Sequence, residues 1–231
     1  MNSFEKKLAE IKLVPLFEGF SDDLLKSLLN GSSFKNFKHR ELLYQAGLPI
    51  DTFSIVTQGA FKLVKPTFRG DDVIVYFATP GDAIGAVLMN KAHVVNYPVT
   101  AQAMGPSQAL CVPRNTYLQS WSDNIEIQKR INSMLFARMS LLQEDKASNK
   151  LPLTQKISNV LMGLIDRNQS EDVQKIPIPL TRQEIADSLG VTVESVIRVM
   201  SQWDQQGIIR THEQRIEIIK LDQIIGFLKQ S

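Results

Sequence analysis

Apolar residues recur at three- and four-residue intervals over residues 180–207, LTRQEIADSLGVTVESVIRVMSQWDQQG, with one break at Gly190. The pattern predicts two helices joined by a tight turn. Thr181 followed three residues later by Glu184 is a capping box that starts the first helix, which runs through Ile185, Ala186 and Leu189 to Gly190. Thr192, with Ser195 three further on, starts the second, and Gly207 ends it. Val196, Val199, Met200 and Trp203 face inward on the helical period, which leaves Val193, Glu194, Ile197, Arg198 and Ser201 outward. Beyond Gly207, IIRTHEQRIEII (Ile208 to Ile219) nearly alternates around a polar turn at His212 to Gln214, which predicts a β-hairpin. A helix-turn-helix followed by such a hairpin is a winged helix.

The preceding chain has two other characters. Residues 20–118 hold short β-rich runs (FSIV, FKLV, VIVYFA, ALCV) between turn signals (QAGLPID, TQGA, FRGDD, TPGD), the signature of a β-barrel or sandwich. Helical spacing returns near Trp121 and continues to about Asn149. There Ile127, Ile131, Met134 and Leu141 form one stripe, and Leu135, Met139 and Leu142 a neighbouring one. Two stripes exceed what one contact surface requires, so the helix is expected to pack on its own β-domain and on the same helix of a second chain. Ile127, Ile131, Met134, Leu135, Leu141 and Leu142 are the expected dimer residues. In SNKLPL (Ser148 to Leu153) Pro152 interrupts helical hydrogen bonding and marks a hinge. The expected organisation is a β-domain over 1–118, a dimerisation helix over 119–149, a hinge over 150–153 and a winged helix-turn-helix over 154–231.

On the second helix of the C-terminal pair, Glu194 and Arg198 stand one turn apart. On an ordinary surface helix they would be a weak ion pair. In a helix-turn-helix, Arg can bond guanine O6 and N7 with two N–H groups, Glu can accept from cytosine N4, and Val193 or Ile197 can lie against a thymine methyl. Two such helices related by a two-fold axis enter successive major grooves about 34–36 Å apart and so call for a palindromic operator.

Composition changes this picture little. At 231 residues the chain can hold two cores, and no apolar run approaches membrane-spanning length. The start, MNSFEKKLAEIKLV, carries charges where a signal peptide would be apolar, so a cytoplasmic site of action is expected. The net charge is +2, and residues 154–231 carry nine Lys/Arg against ten Asp/Glu. DNA affinity must therefore come from locally placed donors and from dimerisation rather than from a bulk basic field. A single cysteine, Cys111, fits a reducing compartment and cannot hold an iron–sulfur cluster, which takes four thiolates. With three His and no G-x-S-x-G, HExxH, Walker loop or CxxC, nothing predicts catalysis or a metal site.

The residues Glu194 and Arg198, the stretch LGVTVES (Leu189 to Ser195) and the β-rich sensor resemble the family of the cyclic-AMP receptor protein and the fumarate-nitrate reduction regulator, over nearly the whole chain. The resemblance implies an α+β fold: an N-terminal double-stranded β-roll (jelly-roll-like) with glycines 47, 59, 81 and 85 at its turns, a long dimerisation helix and a C-terminal winged helix-turn-helix. It implies a transcription regulator that binds double-stranded DNA at a palindrome with a TGA-like core. Val193 is similar to the fumarate-nitrate branch, whereas Ile197 departs from both. By the same match Thr154, Arg182, Thr192 and His212 fall where the family touches phosphates, contacts that set register. RNA polymerase stays open as a further partner.

In the sensor the departures are informative. Cyclic-nucleotide binders of the family hold ribose with a Glu and the cyclic phosphate with an Arg-Ser pair. Here the matching positions are Ala86, Asn96 and Tyr97, and the base-facing helix positions are Leu141 and Leu142. No cation remains for the phosphate, so cyclic AMP is not the expected effector. Haem, used by some members to sense nitric oxide or carbon monoxide, stays open, with His39, His93 or Cys111 as candidate ligands. So does a sensor module that acts through protein contacts.

Overall fold

The computed structural model describes residues 8–9, 11–12, 14–67, 72–85, 89, 95–147, 151–165 and 174–229, without the side chains of Arg138 and of 141–147. It is an α+β molecule that divides into two compact units, Met1–Leu63 with Ala78–Gln143 and Val64–Phe77 with Glu144–Ser231.

After a short helix α1 (Asp22–Leu28), whose first turn is capped by the Ser21 hydroxyl, come eight strands: β1 (Ser33–Phe37), β2 (Leu42–Tyr44), β3 (Thr52–Gln58), β4 (Phe61–Pro66), β5 (Asp72–Ala78), β6 (Ala83–Ile84), β7 (Thr100–Ala103) and β8 (Ser107–Pro113). They form two four-stranded sheets in the orders β1-β8-β3-β6 and β2-β7-β4-β5. Every strand pair with a resolved register is antiparallel, for example Phe53 opposite Val112 and Ile55 opposite Leu110. The four β-rich runs of the sequence fall on β3, β4, β5 and β8. The glycines expected at turns all have positive φ. At Gly59 a second constraint applies, since a Cβ there would lie 2.6 Å from the Pro106 carbonyl and 2.4 Å from the Ser107 hydroxyl. That corner closes only on glycine.

The core of this unit is aromatic. Phe53 meets Trp121 edge to face at 4.9 Å and Tyr117 at 5.6 Å, geometry that suits the ring quadrupoles. The indole N–H of Trp121 donates to the Leu28 carbonyl at 2.7 Å, so the buried ring leaves no polar atom unpaired. This corrects the expected start of the long helix. Trp121 lies in a π-helical turn, Tyr117–Trp121, and α2 begins only at Ile125 and runs to Ala147. Asn124 starts it, with its side-chain oxygen accepting from the Ile127 amide at 3.1 Å.

For Ile127 and Ile131 the dimer expectation needs correction. Ile127 and Ile131 are fully buried in their own chain's core, and Met134 and Leu135 pack partly against it. A side chain already covered by its own domain has no area left for a partner. The apolar positions that α2 leaves outward are Ile125, Phe136 and Met139, exposed by 72%, 70% and 55%. Leu141 and Leu142 lie within α2, but their side chains fall outside the described residues. So do Ser148 to Lys150 of the hinge; Pro152 is described, as the residue that caps the next helix.

The second unit contains α3 (Leu153–Leu164), β9 (Gln174–Lys175), α4 (Arg182–Leu189), α5 (Val193–Gln205), β10 (Ile209–His212), β11 (Arg215–Ile218) and α6 (Leu221–Leu228). Its small sheet has the order β10-β11-β9. Ile157, Leu161, Ile185, Val196, Met200, Trp203, Ile216, Ile218 and Ile224 are buried in the unit, and Trp203 stacks flat on Phe227 at 5.1 Å. Gln155 fixes the C-terminal helix by donating to the Leu228 carbonyl at 3.0 Å, one of the orphan acceptors of a helix end.

Candidate nucleic-acid interface

Local sequence alone places α4 and α5. The Glu184 amide donates to the Thr181 hydroxyl at 3.1 Å, and the Glu184 carboxylate accepts from the Thr181 amide at 2.9 Å, so both halves of the capping box are made. Gly190 closes α4 in the left-handed conformation, φ 63°, its amide bonded to the Ala186 carbonyl. Thr192 is the N-cap of α5, but its hydroxyl pairs with that of Ser195 at 3.0 Å rather than with a backbone amide.

Val196, Met200 and Trp203 then hold the inner face of α5 in the core, with Val199 half-buried beside them. This fixes the rotation of the helix. Glu194, Ile197, Arg198 and Ser201 are exposed, and Val193 is half-buried at the edge of the same face. Among the described residues neither the Glu194 nor the Arg198 side chain has a hydrogen bond or ion pair. The intrahelical pair that would explain them as surface decoration is not formed. A carboxylate and a guanidinium therefore stand exposed, one turn apart, in the N-terminal half of the helix.

The wing follows directly. β10 pairs with β11 in the register Ile209 with Ile218 and His212 with Arg215, around a two-residue turn in which Glu213 and Gln214 have φ 48° and 64°. β9, which the sequence pattern does not show, adds a third strand through Lys175 opposite Glu217, with an ion pair between them at 3.8 Å. Of the four expected phosphate contacts, His212 is exposed at the wing tip, Thr192 is exposed at the start of α5, and Thr154 is half-buried in the first turn of α3. Arg182 is tied inward: its Nη2 donates to the Thr211 hydroxyl at 2.8 Å and links α4 to the wing. Burial pushes its pKa down, and Asp204 opposes the shift. Arg210 and Arg215, exposed on the wing strands, are cations that a reading centred on α5 passes over.

In the β-roll, Tyr97 is buried and stacks on Tyr44 with centroids 3.8 Å apart, and its hydroxyl donates to the Thr52 carbonyl. Burial pushes its pKa up to about 12. Asn96 bridges Pro49. Ala86 and His93 lie outside the described residues, and His39 is exposed. Cys111 is buried, accepts from the Ser54 hydroxyl at 3.6 Å, and has its pKa raised by burial. It is held as a neutral thiol, a poor axial ligand. Among the described residues no group of three or more His, Cys, Asp or Glu is placed to hold a metal ion, and no helix is long and apolar enough to cross a membrane.

A capped helix-turn-helix with an antiparallel wing, in one chain with a two-sheet β-roll and a long helix, defines a DNA-binding transcription regulator. Residues 141–225 match the Crp-like helix-turn-helix domain and residues 34–124 the cyclic nucleotide-binding domain, and the chain belongs to the superfamily of the cyclic-AMP receptor protein and the fumarate-nitrate reduction regulator. It is 27% identical over 191 residues to the transcriptional activator protein Anr of Pseudomonas aeruginosa, covering 79% of this chain and 75% of that protein. It is 25% identical over 197 residues to the nitrogen fixation regulation protein FixK of Bradyrhizobium diazoefficiens, covering 79% and 80%. Among solved structures, FixK2 from Bradyrhizobium japonicum superposes with a TM-score of 0.72 at 18% identity, covering 87% of this chain and 98% of that one.

Proposed function

We propose that this regulator binds a palindromic DNA operator as a homodimer, acting in the cytoplasm, with Glu194 and Arg198 of α5 reading base edges in the major groove. The observation that carries the reading is that both side chains are exposed and unengaged on a helix whose rotation is fixed by Val196, Met200 and Trp203. Val193 and Ile197 border them on the apolar side. Thr154, Thr192, His212, Arg210 and Arg215 are the donors placed for phosphates, with Arg182 bracing the wing. Dimerisation is supported by Phe136 and Met139, exposed apolar neighbours one turn apart on α2, since an exposed apolar patch marks an interaction site.

The effector of this reading is neither cyclic AMP nor an iron–sulfur cluster. Tyr97, at the position matching the family's phosphate-binding Ser, has its hydroxyl engaged by the Thr52 carbonyl and its ring in the core. One cysteine cannot ligate a cubane. No catalytic role is assigned to any residue.

Selection from a pool of random duplexes tests the reading. Enrichment of a two-fold-symmetric site with a TGA-like core supports it; recovery of no sequence would leave the helix-turn-helix as a protein-docking surface and sink it.

A further inference from the structure

The last turn of α5 carries the wrong charge for a helix end. The C-terminal carbonyls of a helix form the negative end of its dipole and favour a cation, yet this turn holds Asp204 and no basic residue. Backbone amides satisfy part of the end: Ile208 donates to the Trp203 carbonyl at 2.8 Å and Gly207 to that of Asp204 at 3.0 Å. The Gln206 carbonyl, just beyond, takes its donor from elsewhere. The Nζ of Lys220, fourteen residues later, donates to it at 2.8 Å.

Lys220 lies where the wing returns. β11 ends at Ile218, and the amides of Ile219 and Lys220 both donate to the Ile208 carbonyl, at 2.8 and 3.1 Å. The wing therefore leaves α5 through Gly207, whose φ is 64°, and comes back beside that exit. Glycine gives the backbone more freedom than any other residue, so the exit is a place where the wing could swing. The Lys220 side chain spans it with a charge-assisted bond. Arg182 ties the wing to α4 through Thr211; Lys220 ties its base to α5.

We propose that Lys220 is a positioning residue for DNA recognition: its ammonium fixes the base of the wing against the C-terminal end of α5, so that helix and wing meet one duplex in register. The proposal rests on the reading of this unit as DNA-binding. It assigns Lys220 no contact with the DNA itself.

The test titrates full-length wild type, Lys220→Met and Lys220→Arg against the selected operator by fluorescence anisotropy, with melting curves alongside. Met keeps the aliphatic stem and removes the charge; Arg keeps the charge. Lys220→Met should lose about threefold in affinity per half-site, hence about tenfold for the palindrome, and Lys220→Arg should recover it. The dependence of affinity on salt should be the same in all three, because the bound wing still makes its phosphate contacts and the loss is the cost of ordering it. A slope smaller by about one per half-site in Lys220→Met would make Lys220 a phosphate ligand and overturn the proposal. In a background with Arg210, His212 and Arg215 replaced by Ala, the wing has no contact to position, so Lys220→Met should cost nothing further; an undiminished loss there overturns the proposal too. Amide hydrogen exchange in the DNA-free chain reads the clamp directly: Ile219 should exchange about threefold faster in Lys220→Met, and equal protection would refute the clamp whatever the DNA titrations show. Wild-type affinity in Lys220→Met overturns the role of Lys220 and leaves that of α5 standing. A chain that selects no duplex overturns the DNA-binding reading, while the exchange rates still report on the clamp.

Discussion

The Arg198 side chain is exposed and has no hydrogen bond or ion pair among the described residues, so Arg198→Ala should change recognition without changing the fold. A bidentate base contact discriminates by roughly 1–3 kcal/mol, which predicts about a 5- to 150-fold loss of specific affinity per half-site. Binding to a scrambled duplex should barely move, because that affinity comes from phosphate contacts. Titration of both duplexes, with the melting temperature as control, checks it; unchanged discrimination in this variant would count decisively against the assignment. Tyr97 gives a different kind of residue-scale expectation. Its pKa is raised in the folded state to about 12 by burial, whereas an unfolded tyrosine titrates near 10. The folded chain thus keeps a proton that the unfolded chain loses, and this contribution, fully present below pH ~10, falls away as pH rises towards ~12. Comparing urea midpoints of wild type and Tyr97→Phe across that window should show a wild-type decline that is shallower in the variant. Glu194 and Arg198 were legible in the sequence because one helical turn and its caps fix which way they point. The role of Tyr97 was not, because it depends on Tyr44 and Thr52, residues 53 and 45 positions away that only the folded sheets bring together.

The two helices and hairpin of the C-terminal unit were readable as elements for the same local reason. Thr181, Glu184, Gly190 and Gly207 act on neighbours within a few positions, and the structure places the boundaries at or next to them. β9 was not readable: it has two residues, no alternation, and a partner about forty positions later. The wing turn is the element where sequence and geometry disagree. Glu213 and Gln214 both have positive φ, the type I′ arrangement for which Asn-Gly is the favoured pair. A left-handed residue other than glycine, Asn or Asp costs roughly 1–2 kcal/mol. Replacing the pair by Asn-Gly should therefore raise the stability of the hairpin by about 1 kcal/mol or more, seen as a later urea midpoint with an unchanged slope. If operator affinity rises as well, the turn limits wing positioning; a stability gain with equal affinity would assign it to folding alone. In the opposite direction, Thr181→Ala should cost about 1 kcal/mol by removing the acceptor for the Glu184 amide.

At the scale of the whole molecule, α2 buries some of its apolar residues in its own core and leaves others outward, and periodicity alone could not say which. Ile127 and Ile131 belong to the chain's own core. Phe136, outside both stripes of the sequence pattern, is 70% exposed. Ile125, Lys129, Asn132, Phe136 and Met139 are spaced by four, three, four and three residues, so they share one face, the spacing of a coiled-coil seam with two polar positions. Exposure of a phenylalanine and a methionine on that seam is unfavourable for an isolated chain, and burial of an aromatic side chain is worth roughly 1.5–3 kcal/mol. Two-fold symmetry applies that gain twice. Phe136→Asp should accordingly convert the dimer to monomer at micromolar concentration in sedimentation or light scattering, with the melting of each chain's β-roll retained. Ile127→Asp should instead unfold the roll, because it places an unpaired charge among Phe53, Trp121 and their neighbours. Operator binding separates the consequences. A monomer carrying an intact α5 can still read one half-site, so Phe136→Asp should lose affinity for the palindrome while its affinity for an isolated half-site is unchanged. A Phe136→Asp variant that remains dimeric would place the two-fold axis elsewhere on the molecule.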